Sequence, residues 1–148
     1  MERSLLVIKK TRDNWRRLME SVPEEKWTEI PKGFQNSLEW NLGHSVVTTS
    51  LLAYGLCDLQ IPVLPTEVIE KYRKGSKASE VGMDWGNWMD QTVSTLALDR
   101  KTKPFLVEKP YETSFGVKLS NIEEVIHFLS VHEGIHFGYA LALKKSLL

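Results

Sequence analysis

Apolar residues recur at helical intervals along most of this chain. From Ser4 to Ser21, Leu5, Ile8, Trp15, Leu18 and Met19 fall on one helix face, and Pro23 lies just past the end. A loop from Val22 to Gln35 follows, punctuated by Pro23, Pro31 and Gly33. Its Trp27 is expected to pack back onto the core, because an indole left in water forfeits its apolar area. A second helix is predicted from Asn36 to Tyr54, with Asn36 as cap and Glu39 three residues on, an approximate capping box. Trp40, His44, Val47 and Leu51 make its stripe. Gly43 costs roughly 1 kcal/mol against alanine inside a helix, a cost that close approach of a neighbouring helix or ligand beside His44 would explain.

A long connection runs from Gly55 to Met83, broken by Pro62 and Pro65. Val68, Ile69 and Tyr72 are spaced for a short helix from Thr66 to Arg73. A connection of that length in a compact domain often helps to cover a pocket. The third long helix is predicted from Asp84 to Lys101, with Trp85, Trp88, Met89, Val93, Leu96 and Ala97 buried. A second connection, Thr102 to Leu119, carries Pro104, Pro110 and Gly116, and Tyr111 to Lys118 can form a short extended turn. The last helix opens on Ser120-Asn121-Ile122-Glu123, read as a capping box, and continues to Lys145. The pattern predicts an all-α four-helix bundle with long connecting loops, residues 1–148 forming a single domain.

Composition narrows the function classes. Hydrophobic residues make up 42% of the 148, enough for a packed core. Lys+Arg and Asp+Glu both number 19, so there is no overall charge to draw nucleic acid or an anionic membrane, and neither is expected as a partner. Lys71, Arg73, Lys74 and Lys77 are locally basic, which reads as a solvated face, with a phosphate or carboxylate contact as the alternative. The lone Cys57 rules out an intramolecular disulfide or a multi-cysteine zinc site and reads as a packed thiol. Met1-Glu2-Arg3-Ser4 leads into a charged amphipathic pattern rather than an apolar signal segment, and no apolar run nears the roughly 20 residues a bilayer requires. A cytoplasmic protein is expected.

Candidate chemistry lies in the histidines. His132 and His136 are four residues apart, about 40° apart on the wheel and one turn along the axis, a relation in which two imidazoles can grip one ion. Val125, Leu129, His132, His136, Ala140 and Leu143 form one stripe, so both histidines occupy core positions, as does His44 on the second helix. A buried imidazole without a partner costs on the order of 1–3 kcal/mol, and one divalent ion would satisfy all three. A lone core histidine is as a rule a hydrogen-bonded packing residue, and spacing alone leaves both readings open. His127 lies about 140° from His132 and about 180° from His136 on the wheel and is expected outside the site.

His132-Glu133-Gly134-Ile135-His136 also spells the zinc-protease motif, in which the glutamate is the general base. The extended form wants a histidine where Ala142 stands, no acidic residue follows Glu133, and Gly134 weakens the helix inside the motif, so this reading is set aside. Glu133 remains a candidate base only if it faces the ion. Its offset of about 100° from His132 favours a salt bridge on the helix face.

Two segments together resemble a known family. Asn36-Ser37-Leu38-Glu39-Trp40-Asn41-Leu42-Gly43-His44 is similar to the second-helix motif of the DinB-like superfamily, and His132-Glu133-Gly134-Ile135-His136-Phe137-Gly138-Tyr139 to its C-terminal metal motif. The resemblance implies a four-helix bundle with one divalent ion on three histidines, at positions His44, His132 and His136 here, and often a homodimer. It also implies kinship with transferases and isomerases that use low-molecular-weight thiols. On that view Zn²⁺ or Ni²⁺ would favour the thiolate, which would attack an electrophile in a pocket lined by Trp40 and the Trp85/Trp88 region. Metal-activated hydrolysis and a non-enzymatic, ligand- or partner-binding bundle are the alternatives.

Overall fold

The computed structural model describes residues 2–77 and 83–148; the stretch 78–82 of the long connection lies outside the described residues. Among the described residues five α-helices carry the architecture: α1 (Glu2–Glu20), α2 (Leu38–Ser50), α3 (Thr66–Tyr72), α4 (Trp85–Asp99) and α5 (Ile122–Leu147). The bundle is all-α apart from a hairpin of β1 (Tyr111–Glu112) and β2 (Lys118–Leu119), paired antiparallel with Tyr111 opposite Leu119. The four long helices pack as a ring in which α1 touches α5 and α4, and α2 touches α5 and α4; short α3 lies on α2. Among the described residues no helix is long and apolar enough to cross a membrane.

Two helix caps differ by one residue from the sequence expectation. Ser37, not Asn36, caps α2, its side chain accepting from the Trp40 amide. Glu39 is therefore no capping partner. It is fully buried and accepts hydrogen bonds from the Tyr72 hydroxyl at 2.5 Å and the Trp85 indole at 2.9 Å. Asn121, not Ser120, caps α5, accepting from the Glu124 amide at 3.0 Å, while Glu124 returns a carboxylate to the Ser120 amide at 2.7 Å. Where two capping residues stand side by side, the one whose φ/ψ suits the incoming chain wins. After Ser50 the helix widens into a π turn, Leu51–Gly55.

Every residue of α2 except Thr48 is buried, so its polar side chains must find partners within the protein. The apolar core falls into two clusters. One gathers around Trp15, Leu42, Tyr72, Trp85 and Leu143, the other around Ile8, Tyr54, Leu96, Val125 and Leu129. A polar layer separates them. Arg12 lies between Ile8 and Trp15 on α1, Thr49 between Val47 and Ala53 on the α2 side, and Glu133 between Leu129 and Ala140 on α5. Trp27 packs on the first cluster as expected, and its indole donates to the Val22 carbonyl at 2.9 Å.

Gly43 meets the expected need for close approach. A Cβ there would lie 2.5 Å from Tyr72 Cδ1 and 2.8 Å from Trp85 Cη2, so its absence lets the α3 and α4 rings press against α2 one residue before His44.

Candidate metal centre

Three imidazoles from two neighbouring helices meet beside this layer. Ring centroids lie 4.8 Å apart for His44 and His136, 5.2 Å for His44 and His132, and 4.5 Å for His132 and His136. One ligating nitrogen from each lies within 4.8 Å of the others. Three imidazole nitrogens this close together form a donor set that could hold one divalent ion. His127 is elsewhere, with Nδ1 3.4 Å from the Ser4 hydroxyl.

The surroundings select which nitrogen can coordinate. Nδ1 of His44 lies 2.8 Å from the Tyr72 carbonyl oxygen, which can only accept, so Nδ1 carries the proton and Nε2 keeps its lone pair. His136 repeats the device with Nδ1 2.8 Å from Asn41 Oδ1. The Asn41 amide is oriented in turn by donating from Nδ2 to the Ser37 carbonyl at 2.7 Å. Outer partners of this kind fix ring tilt and tautomer in metal-ligating histidines. Trp40, one turn before His44, stacks on its ring at 4.6 Å and 8°, and the Trp40 indole donates to Ser76 at 3.1 Å.

Burial keeps the imidazoles in the neutral form that ligation requires. His132 is pushed down to about 3, first by burial and then by the charges of His136, His44 and Arg12. His136 is lowered to about 4 by burial and by His44. His44 is also lowered by burial; the Tyr72 hydrogen bond opposes the shift and Lys74 adds to it.

Glu133 does not join the histidines, and its ion pair is not on the helix surface. Its carboxylate is buried against α1, with Arg12 Nε 2.7 Å from Oε1 and Nη2 2.9 Å from Oε2; Nη2 also donates to Thr49 at 3.2 Å. Burial raises the Glu133 carboxyl and the Arg12 guanidinium opposes that shift. Cys57 is buried as expected, which raises its thiol.

A cleft of about 510 Å³ opens beside the triad, bounded by His44, Thr48, Arg73, Lys74, Phe128 and His132 among others. None of the three tryptophans expected there lines this cleft: Trp40 stacks on His44 outside it, and Trp85 is wedged beneath Gly43, edge-on to Tyr72 at 4.8 Å, on the side of α2 packed by α4. A larger groove of about 690 Å³ between α1 and α4 contains no histidine.

The helical ring and the two histidine motifs agree with the comparison to known families. The profile of the DinB superfamily matches residues 8–140, and the chain belongs to that superfamily. No curated protein matches the chain. Fold and site thus define a DinB bundle whose three clustered histidines could bind a metal ion.

Arg12, Asn41 and Tyr72 are the site residues that sequence reasoning missed. Arg12 gave a signal, since it falls on the apolar stripe between Ile8 and Trp15. Tyr72 gave none, because it acts on His44 through its backbone carbonyl from 28 positions away.

Proposed function

We propose that this chain is a metal-dependent enzyme that activates a low-molecular-weight thiol for transfer to an electrophile. The observation that carries the reading is the convergence of three imidazoles, one nitrogen of each within 4.8 Å of the others, while Tyr72 and Asn41 engage Nδ1 of His44 and His136 and so leave each Nε2 its lone pair. A histidine serving only to pack needs no such convergence. A divalent cation such as Zn²⁺ or Ni²⁺, held by His44, His132 and His136, supplies a positive charge that favours thiolate over thiol at neutral pH.

The remaining work belongs to the chain's own residues. Stacked Trp40 shields one face of His44 from water. Arg12 and Glu133 clamp α5 to α1 next to His132, holding that imidazole at its depth. The cleft bounded by Thr48, Phe128 and His132 gives substrates a route to the histidines. Glu133 is engaged with Arg12 and takes no proton from substrate in this scheme.

Elemental analysis of protein purified without an affinity tag, followed by assays of metal-loaded protein, tests the reading. Thiol conjugation dependent on both metal and thiol is expected. Turnover of esters or amides that needs metal but no thiol would favour a hydrolase, and a metal content of zero after loading would end the metal reading altogether.

A further inference from the structure

The cleft beside the histidines is electrostatically one-sided. Arg73 and Lys74 stand on it, and among the described residues that line it there is no aspartate or glutamate. Leu51, Leu52 and Phe128 give it an apolar wall, and its volume of about 510 Å³ suits a small molecule.

The backbone carrying the two cations is anchored to the site. On one side the Tyr72 carbonyl accepts from His44 at 2.8 Å, and on the other the Ser76 hydroxyl accepts from the Trp40 indole at 3.1 Å. Gly75, with φ +89°, makes the turn between them in a conformation that other residues rarely adopt. Arg73 gives Nη1 to Glu70 at 3.1 and 3.2 Å, but that pair is solvent-exposed and such pairs contribute little, so an incoming acid can displace it. Lys74 is solvent-exposed. Two adjacent cations on an anchored turn, facing an apolar wall and the histidines, form an amphipathic recognition surface.

We propose that this cleft binds a small amphipathic acid, with Arg73 and Lys74 holding its carboxylate or phosphate, Leu51, Leu52 and Phe128 packing on its apolar body, and its reacting atom against His44 and His132. Only the placement of the reacting atom rests on the thiol-transfer reading; the acid site stands on the cleft itself.

The test uses Co²⁺-loaded protein and para-substituted benzyl mercaptans bearing carboxylate, phosphonate, hydroxymethyl or aminomethyl groups, with binding followed through the thiolate-to-cobalt absorption band. Charge-assisted hydrogen bonds should make an acidic probe roughly tenfold or more tighter than the hydroxymethyl probe. The tighter of the carboxylate and phosphonate names the acid group. In Arg73→Gln/Lys74→Gln protein that advantage should vanish, while affinity for the hydroxymethyl probe stays unchanged, which also shows the variant to be folded. Equal binding of acidic and neutral probes, or preference for the aminomethyl probe, would overturn the proposal and leave the metal reading intact. If Co²⁺ does not load, the metal reading fails, and calorimetry of phenylpropionate against phenylpropanol on the metal-free protein still decides the acid site by the same ratio.

Discussion

Arg12 of α1 and Glu133 of α5 meet through two nitrogen–oxygen contacts, at 2.7 and 2.9 Å, with both side chains 1% exposed. The residue that a zinc-protease motif would use as a base is thus part of the bundle's internal frame. Removing one partner leaves the other charge buried and uncompensated. Glu133→Ala is expected to lower unfolding free energy by about 3–5 kcal/mol, and Arg12→Met with Glu133→Leu by much less than either truncation alone. Urea unfolding measures both. A Glu133→Ala protein as stable as the parent but inactive would instead assign Glu133 to the chemistry.

The geometry of the histidines predicts a division among the four. His44→Ala, His132→Ala and His136→Ala should each abolish tight metal binding, because each removes one donor of a three-donor set. His127→Ala should leave stoichiometry and affinity unchanged, since it lies beside Ser4. Equilibrium dialysis with elemental analysis reads this directly, and equal losses at all four positions would refute the assignment.

Asn41 engages His136 Nδ1 through its Oδ1 at 2.8 Å and so acts on the three clustered histidines through that ring. Asn41→Leu should therefore weaken metal affinity about 10–100-fold without abolishing binding, the usual size of an outer-shell loss. Competition with a chromogenic chelator measures the shift. An unchanged affinity would mean that the ring of His136 is oriented by packing alone.

Two glycines should respond oppositely to the same substitution. Gly43→Ala forces a methyl against Tyr72 and Trp85 at 2.5–2.8 Å. Overpacking of this kind costs about 1–3 kcal/mol and outweighs the gain in helix propensity. Gly134→Ala meets nothing within 4 Å on the exposed side of α5 and should stabilise by about 0.5–1 kcal/mol. Thermal unfolding of the two variants side by side gives the sign of each.

Acid should destabilise even the metal-free protein through these histidines. His132 and His136 are held at about 3 and about 4 in the folded state, against 6.5 for an ordinary histidine. Between those values the unfolded chain binds protons that the folded chain refuses, so stability is fully present above about pH 6.5 and is lost as pH falls toward 3. Protonation competes with ligation as well, so metal should leave over the same descent. Urea midpoints at successive pH values, compared with those of the His132→Ala/His136→Ala protein, isolate the contribution; a slope unchanged in that variant would refute it.

The sequence carried the helices well because each long stripe has one clear period, and it carried the triad because three histidines replace apolar residues on those stripes. Cap positions slipped by one where Asn36 adjoins Ser37 and Ser120 adjoins Asn121, since either residue can cap and local φ/ψ decides. The role of Glu39 was hidden because its partners, Tyr72 and Trp85, lie on other helices. The tryptophan-lined pocket was misplaced for a related reason. Periodicity tells that Trp85 is buried but not which neighbour it is buried against, and Gly43 turns out to seat it behind α2.

Tyr72 grips the bundle twice, by its main chain at His44 and by its hydroxyl at Glu39. The turn bearing Arg73 and Lys74 begins at the very next residue, so the cationic side of the cleft and the His44 ring share one anchor. Grafting a differently shaped turn onto this scaffold would therefore retune the angle of a ring with which the new side chains make no contact.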